Sequence, residues 1–241
     1  MTEPNLSSIW VYLSASPLMG LTITMLVYCL AYRLYVFAKA TPLLNPVITT
    51  IGVLITILML TDTSYEAYFE GGQFVHFLLG PATVALAVPL YQQFSKLKKI
   101  WLPVTVALIS GVTIAALSSV FIARLFGASL QTQLSLAPKS VTAPVAMGIS
   151  EKIGGLPSLT AVLVVVTGIV GALFGTKILA LLGIRDDSIK GIAMGVTAHG
   201  IGTARSFQVS PEMGAFSGLA MALSAFTTAV LLPSLIDLLR L

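Results

Sequence analysis

The run PSLTAVLVVVTGIVGALFGTKILALL, residues 157–182, carries a single charged side chain, Lys177. At about 1.5 Å of rise per residue, a helix of that length exceeds the roughly 30 Å hydrocarbon core of a bilayer. Four further runs, near 9–32, 43–61, 100–123 and 213–239, are comparably apolar and long enough to cross. Backbone groups in lipid must be satisfied within the protein, and segments of this length achieve that as helices. Composition agrees, with 56% hydrophobic and only 9% charged residues, far from the makeup of soluble domains. The polar interruptions are too short for a soluble domain, so one membrane domain over 1–241 is expected. The first run lacks the basic lead and the short core of a removable signal, and reads as a span.

Three other segments, near 74–95, 127–150 and 188–205, are apolar but broken by proline, glycine or charge, so each can be a discontinuous helix or a re-entrant segment. Irregular backbone at membrane depth must face protein or an aqueous cavity, so these segments point inward. The expected fold is an all-α polytopic membrane protein of about 7–8 transmembrane segments, two or three of them discontinuous. Arg33 and Lys39 follow the first span and Lys96, Lys98 and Lys99 precede the span at 100, whereas the intervening loop DTSYEAYFEGGQ has three acids and no base. The amino terminus is therefore expected outside. If all eight segments cross, seven basic loop residues lie inside (Arg33, Lys39, Lys96, Lys98, Lys99, Lys152, Arg205) and four outside (Arg124, Arg185, Lys190, Arg240). If 127–150 enters and returns, Arg185, Lys190 and Arg240 move inside while Lys152 and Arg205 move outside, giving eight against three. The charge rule favours the second arrangement, although both remain open. The scattered basic residues fit membrane topology better than nucleic-acid binding.

An internal echo accompanies the broken segments. LGPATVALAVP at 79–89 aligns without gaps on LAPKSVTAPVA at 136–146, pairing Pro81 with Pro138 and Thr83 with Ser140. The echo is either a chance recurrence of small residues and prolines in membrane helices or a duplicated broken-helix unit, the arrangement that builds midplane sites in secondary transporters.

Two polar constellations carry candidate chemistry. In LAPKSVTAPVAMG, Lys139 stands beside Ser140 and Thr142, and Pro138 and Pro144 free backbone groups around it. An ammonium there must pair, lose its proton or face water, and with the hydroxyls it forms an anion cradle; the alternative is a lysine that snorkels to the interface. In TAHGIGTARSF, His199 lies beside Gly200 and Gly202, with Thr203 and Arg205 following. Arg205 suits bidentate recognition of a carboxylate, and His199 can donate a hydrogen bond or carry a proton; the alternatives are an Arg205 that anchors a loop and a His199 that bonds a neighbouring helix. Asn45, before Pro46, can contribute an amide to the site or merely cap its helix. The glycines Gly111, Gly168, Gly171 and Gly175 read as close-packing positions, which also makes a homo-oligomer plausible.

The segments LGPATVALAVPLY, LAPKSVTAPVAMGISEKIGG and GIAMGVTAHGIGTARSF, in this order and spacing, resemble the LrgB/CidB family of bacterial inner-membrane proteins. The resemblance implies a polytopic protein linked to control of murein hydrolase activity and autolysis, with a small LrgA/CidA-type membrane partner. It also implies small-acid transport, because plant relatives are plastid glycolate/glycerate translocators and bacterial members are associated with pyruvate and related acids.

Enzymatic signatures are lacking. The sequence has no G-x-S-x-G, no H-E-x-x-H and no phosphate-cradling loop, and Cys29 is its only cysteine, so neither a metal site nor a bound cofactor is expected. Two functions stand side by side: a carrier or facilitator of small carboxylates, and a holin-like regulatory component acting with a partner.

Overall fold

The computed structural model describes residues 17–38, 41, 44–78, 81, 84–85 and 87–239. The chain packs as two compact units, Met1–Ala85 and Leu86–Leu241. Among the described residues all regular structure is helical. Four helices there are long and apolar enough to cross a membrane; of the first copy of the sequence echo, residues 79, 80, 82, 83 and 86 lie outside the described residues.

The first unit contains α1 (Pro17–Phe37), α2 (Pro46–Leu60) and α3 (Tyr65–Phe77). Gly20 lets α1 sit directly on α3, since a Cβ at that position would come within 2.3 Å of the Tyr68 carbonyl oxygen. The Tyr68 hydroxyl also shares a 2.7 Å hydrogen bond with Thr24. The stretch read as an acidic loop is thus largely helix: the Ser64 hydroxyl accepts from the Ala67 amide and starts α3, and close packing of small residues favours it over a loop. Cys29, on α1, is exposed.

The second unit contains α4 (Ala87–Gln92), α5 (Phe94–Leu125), α6 (Leu130–Leu136), α7 (Ala143–Lys152), α8 (Pro157–Leu181), α9 (Asp187–Val209) and α10 (Pro211–Leu239). Large apolar side chains such as Val106, Phe121, Val166, Phe174, Phe226 and Val230 are exposed on α5, α8 and α10. Outward apolar faces of this extent suit lipid contact.

Neither broken segment of this unit crosses. α6 and α7 form a hairpin: Ser135 accepts from the Leu156 amide at 2.8 Å, and Thr160 reaches both the Ser135 carbonyl at 3.0 Å and the Ser150 hydroxyl at 2.7 Å. The end of α7 has therefore come back beside α6, and residues 137–142 form the tip. α9 folds back likewise. Its 23 residues as one straight rod would hold the ends roughly 34 Å apart, yet the Ser210 hydroxyl donates to Asp187 at 2.7 Å. The break is at His199, where φ is 41° and ψ is −132°. Gly202 of the outbound arm (200–209) sits against Ala198 and Met194 of the inbound arm (187–198).

The hairpins enter from opposite ends. α5 starts at the end marked by Lys96, whose ammonium donates to Asp186 at 3.1 Å and to Glu212 at 2.7 Å. α9 starts and finishes at that end, from which α10 departs. α5 finishes at the other end, where the α6–α7 hairpin begins. Each hairpin has its own core: Leu134, Val141 and Ala146 pack with Val120 of α5 and Leu232 of α10, and Ile192 and Val196 pack with Leu108 of α5 and Phe216 of α10. The charge tally changes accordingly. Segment 188–205 is not a crossing, so α10 ends opposite Arg185 rather than beside it.

At the Lys96 end, the Ser188 hydroxyl, followed by Lys96 and the amides of Ile189 and Ser188, holds the Asp186 carboxyl down at about 2 from its ordinary 3.8. A depressed carboxylate contributes stability above its unfolded pKa, and that contribution is lost as pH falls through the folded value. Melting curves in detergent should separate the parent from Asp186→Asn at pH 5, by no more than about 1 kcal/mol for so exposed a pair. The difference should shrink between about pH 4 and pH 2.

Candidate functional site

The tips of the two hairpins approach one cavity beside the middle of α5. Pro138, Ser140 and Val141 line it from the first hairpin and Val196 from the second, with Val112 and Ala116 of α5 and Thr228 of α10 completing the wall. Its free volume is about 10 Å³, room for about one water.

The first tip is a pair of tight turns, with the Lys139 amide bonded to the Leu136 carbonyl at 3.1 Å and the Val141 amide to Pro138 at 3.2 Å. Pro138 is buried there, while Pro144 stands in the first turn of α7, where a missing amide costs nothing. Thr142 occupies the N-cap of α7 without a side-chain capping bond. Lys139 is half-buried, and its Nζ lies 3.4 Å from the Ser140 hydroxyl. Among the described residues no carboxylate forms an ion pair with it.

The second tip is His199 itself. Its Nε2 lies 3.0 Å from the Val164 carbonyl of α8; a carbonyl only accepts, so Nε2 carries the proton. Gly168, Gly171 and Gly175 of α8 make room for His199, Ala198 and Met194 respectively, as their reading as packing positions implies. Thr203 is buried; its hydroxyl donates to the His199 carbonyl at 2.8 Å and therefore accepts from Ser217 at 3.0 Å. Gly200 begins the outbound arm, and Gly202 brings the two arms together.

The other expected site residues lie elsewhere. Arg205, about two turns beyond the tip, donates to Gln208 on its own arm at 3.1 Å. Asn45 is buried in the first unit, where its Oδ1 caps α2 by accepting from the Val47 amide at 2.9 Å. Pro81 also belongs to the first unit. No hydrogen bond joins Lys139 to His199 among the described residues: Ser140 and Val196 line the shared cavity, while His199 turns to α8. Thr228 is a cavity residue that sequence reasoning missed. Its only signal was a hydroxyl within the apolar run SAFTTAV.

A non-glycine residue with this backbone conformation is strained, typically by about 1–3 kcal/mol. His199→Gly and His199→Ala both remove the ring, so comparing them isolates the backbone. The glycine variant should melt above the alanine variant by about 1 kcal/mol or more, the reverse of the order inside a regular helix. Thermal unfolding in detergent measures it.

The model of the LrgB-like family matches residues 24–238. The chain is 36% identical over 221 residues to the protein YwbG of Bacillus subtilis, covering 91% of this chain and 97% of that one. It is 33% identical over 195 residues to the holin-like protein CidB of Staphylococcus epidermidis, covering 81% and 85%. Its identity to the holin-like protein CidB of Staphylococcus aureus is 32% over 219 residues, covering 88% and 95%. No solved structure matches.

Proposed function

This chain belongs to the LrgB-like family, and we propose that it is a membrane carrier for small carboxylates of the glycolate, glycerate, pyruvate or lactate kind, working without covalent chemistry. The observation that carries this reading is the pair of opposed hairpins that meet at one small cavity, lined by the tip of the first and by Val196, about one turn before the tip of the second. Secondary carriers bind substrates near the midplane where broken helices meet, with half-helix N-termini turned toward anionic groups. Two helix starts lie at these tips, α7 behind Thr142 and the outbound arm of α9 behind His199. Lys139 adds a positive charge, and a bound carboxylate would supply its counter-ion. Ser140 and Thr228 offer hydroxyls for a second oxygen of the acid. The cavity has room for about one water, so entry of an acid requires the tips to part. Lys96, Lys98, Lys99, Arg185 and Lys190 gather at one end of the unit, against Arg124 and Lys152 at the other. That asymmetry supports a cytoplasmic Lys96 end in a bacterial inner membrane. The test is uptake and counterflow of pyruvate, lactate, glycolate and glycerate in proteoliposomes. Saturable flux with this protein alone is expected; folded, inserted protein that moves none of the four overturns the reading.

A second reading is favoured by the names of the staphylococcal relatives, holin-like protein CidB. In it the chain is a regulatory component whose assembly with an LrgA/CidA-type partner alters permeability. That reading expects leakage that needs the partner and does not saturate, which the same liposomes measure with and without it.

A further inference from the structure

A groove of about 670 Å³ runs between α5 and the inbound arm of α9. Its mouth is at the Lys96 end, where Lys96, Asp186 and Ser188 line it; deeper, Ser110 and Gly111 of α5 face Val196 and Thr197 of α9. Val196 also lines the cavity between the hairpin tips. One side chain therefore belongs to the floor of the groove and to the wall of the cavity. Gly111 marks where it seats: a Cβ added there would lie 3.1 Å from Val196 Cγ1, so the absence of a side chain on α5 is what lets the valine close against the helix.

We propose that this groove is the aqueous route between the Lys96 face and the cavity, and that Val196 seated on Gly111 is its gate. The inference rests on the carrier reading for what passes through, though the route is defined by geometry alone. The hydroxyls of Ser110 and Thr197, both exposed, give the deep part of the groove polar points. The part of the wall suited to move is the start of α5. The inbound arm of α9 is pinned by backbone-close contacts, with Gly191 and Gly195 pressed on α10 and Gly171 and Gly175 of α8 pressed on Ala198 and Met194. The start of α5 departs from helical geometry at Ile100, with φ −114° and ψ 16°, and carries Pro103 one turn later; both residues line the groove. A bend there displaces the turn bearing Lys96, whose ion pairs to Asp186 and Glu212 are partly exposed and weak enough to exchange with water.

The experiment is thiol labelling with a membrane-impermeant reagent, in a Cys29→Ala background, in vesicles of both orientations. Thr197→Cys, in the groove, should react readily from the Lys96 face, and Ser140→Cys, in the cavity, at least tenfold more slowly. Adding Val196→Gly should raise the Ser140→Cys rate at least tenfold from the Lys96 face and leave it unchanged from the other. Val196→Ala, which preserves helix propensity, should accelerate it less and in the same direction; an unchanged Thr197→Cys rate in each background certifies the fold. The proposal is overturned if neither Val196 variant speeds Ser140→Cys, if the acceleration comes from the opposite face, or if Thr197→Cys is unreachable from the Lys96 face. Acceleration in a protein that carries no acid keeps the route and removes the carrier reading. Saturable uptake without acceleration removes the route alone.

Discussion

Replacing Lys139 with methionine should raise the concentration of acid needed for half-maximal uptake at least tenfold, with the protein still inserted and folded. Methionine keeps much of the apolar stem and deletes only the charge. Lys139 has no ion-pair partner among the described residues, so removing its ammonium strands no buried carboxylate. A hydrogen bond to a charged group contributes about 1.5–3 kcal/mol, and each 1.4 kcal/mol is a factor of about ten in affinity. Concentration series of uptake in proteoliposomes, with size-exclusion profiles as the folding check, read the effect. An unchanged half-saturation would return Lys139 to the role of an interfacial anchor.

The largest effect on stability is expected at Gly195. A Cβ there would stand 2.2 Å from the Ser217 carbonyl oxygen and 3.0 Å from the Met221 amide nitrogen. Those are backbone atoms of α10, which cannot rotate aside, so Gly195→Ala must push the inbound arm off the helix it packs on. Overpacking of this kind costs about 1–3 kcal/mol and occasionally more; we expect the upper end, seen as a lower melting temperature and reduced yield. Gly148 is the control. It lies within α7, where nothing stands within 4 Å of an added Cβ. Gly148→Ala should therefore be neutral or stabilising, by up to about 1 kcal/mol from helix propensity. Equal destabilisation at both positions would contradict the packing of the second hairpin.

Much of the helical framework was legible because apolar run length is a local property. The runs at 43–61, 100–123, 157–182 and 213–239 became α2, α5, α8 and α10 with shifts of a few residues. Proline, glycine and lysine also marked 127–150 as irregular, and the charge rule favoured its return. For 188–205 the sequence left re-entry open beside a discontinuous crossing and did not select it. Its turn depends on one histidine in a positive-φ conformation and is closed by Ser210 on Asp187, a contact 23 residues apart that no periodicity encodes. The same limit hid Thr228, whose neighbours in the cavity come from two other helices and from the tip of the first hairpin. It applies also to the two tips: Lys139 and His199 both stand at breaks, but the direction of a side chain at a tip is set by packing, and Gly168 gives the imidazole its space against α8.

In a carrier of this build, the cavity between the two hairpins receives the acid. Protection of a cavity cysteine tests it most directly, using Ser140→Cys or Thr228→Cys with Cys29→Ala and the acid that gives the largest flux. That acid should slow thiol modification at both positions, with half-protection at the concentration that half-saturates uptake. An acid that saturates uptake while leaving both modification rates unchanged would contradict it.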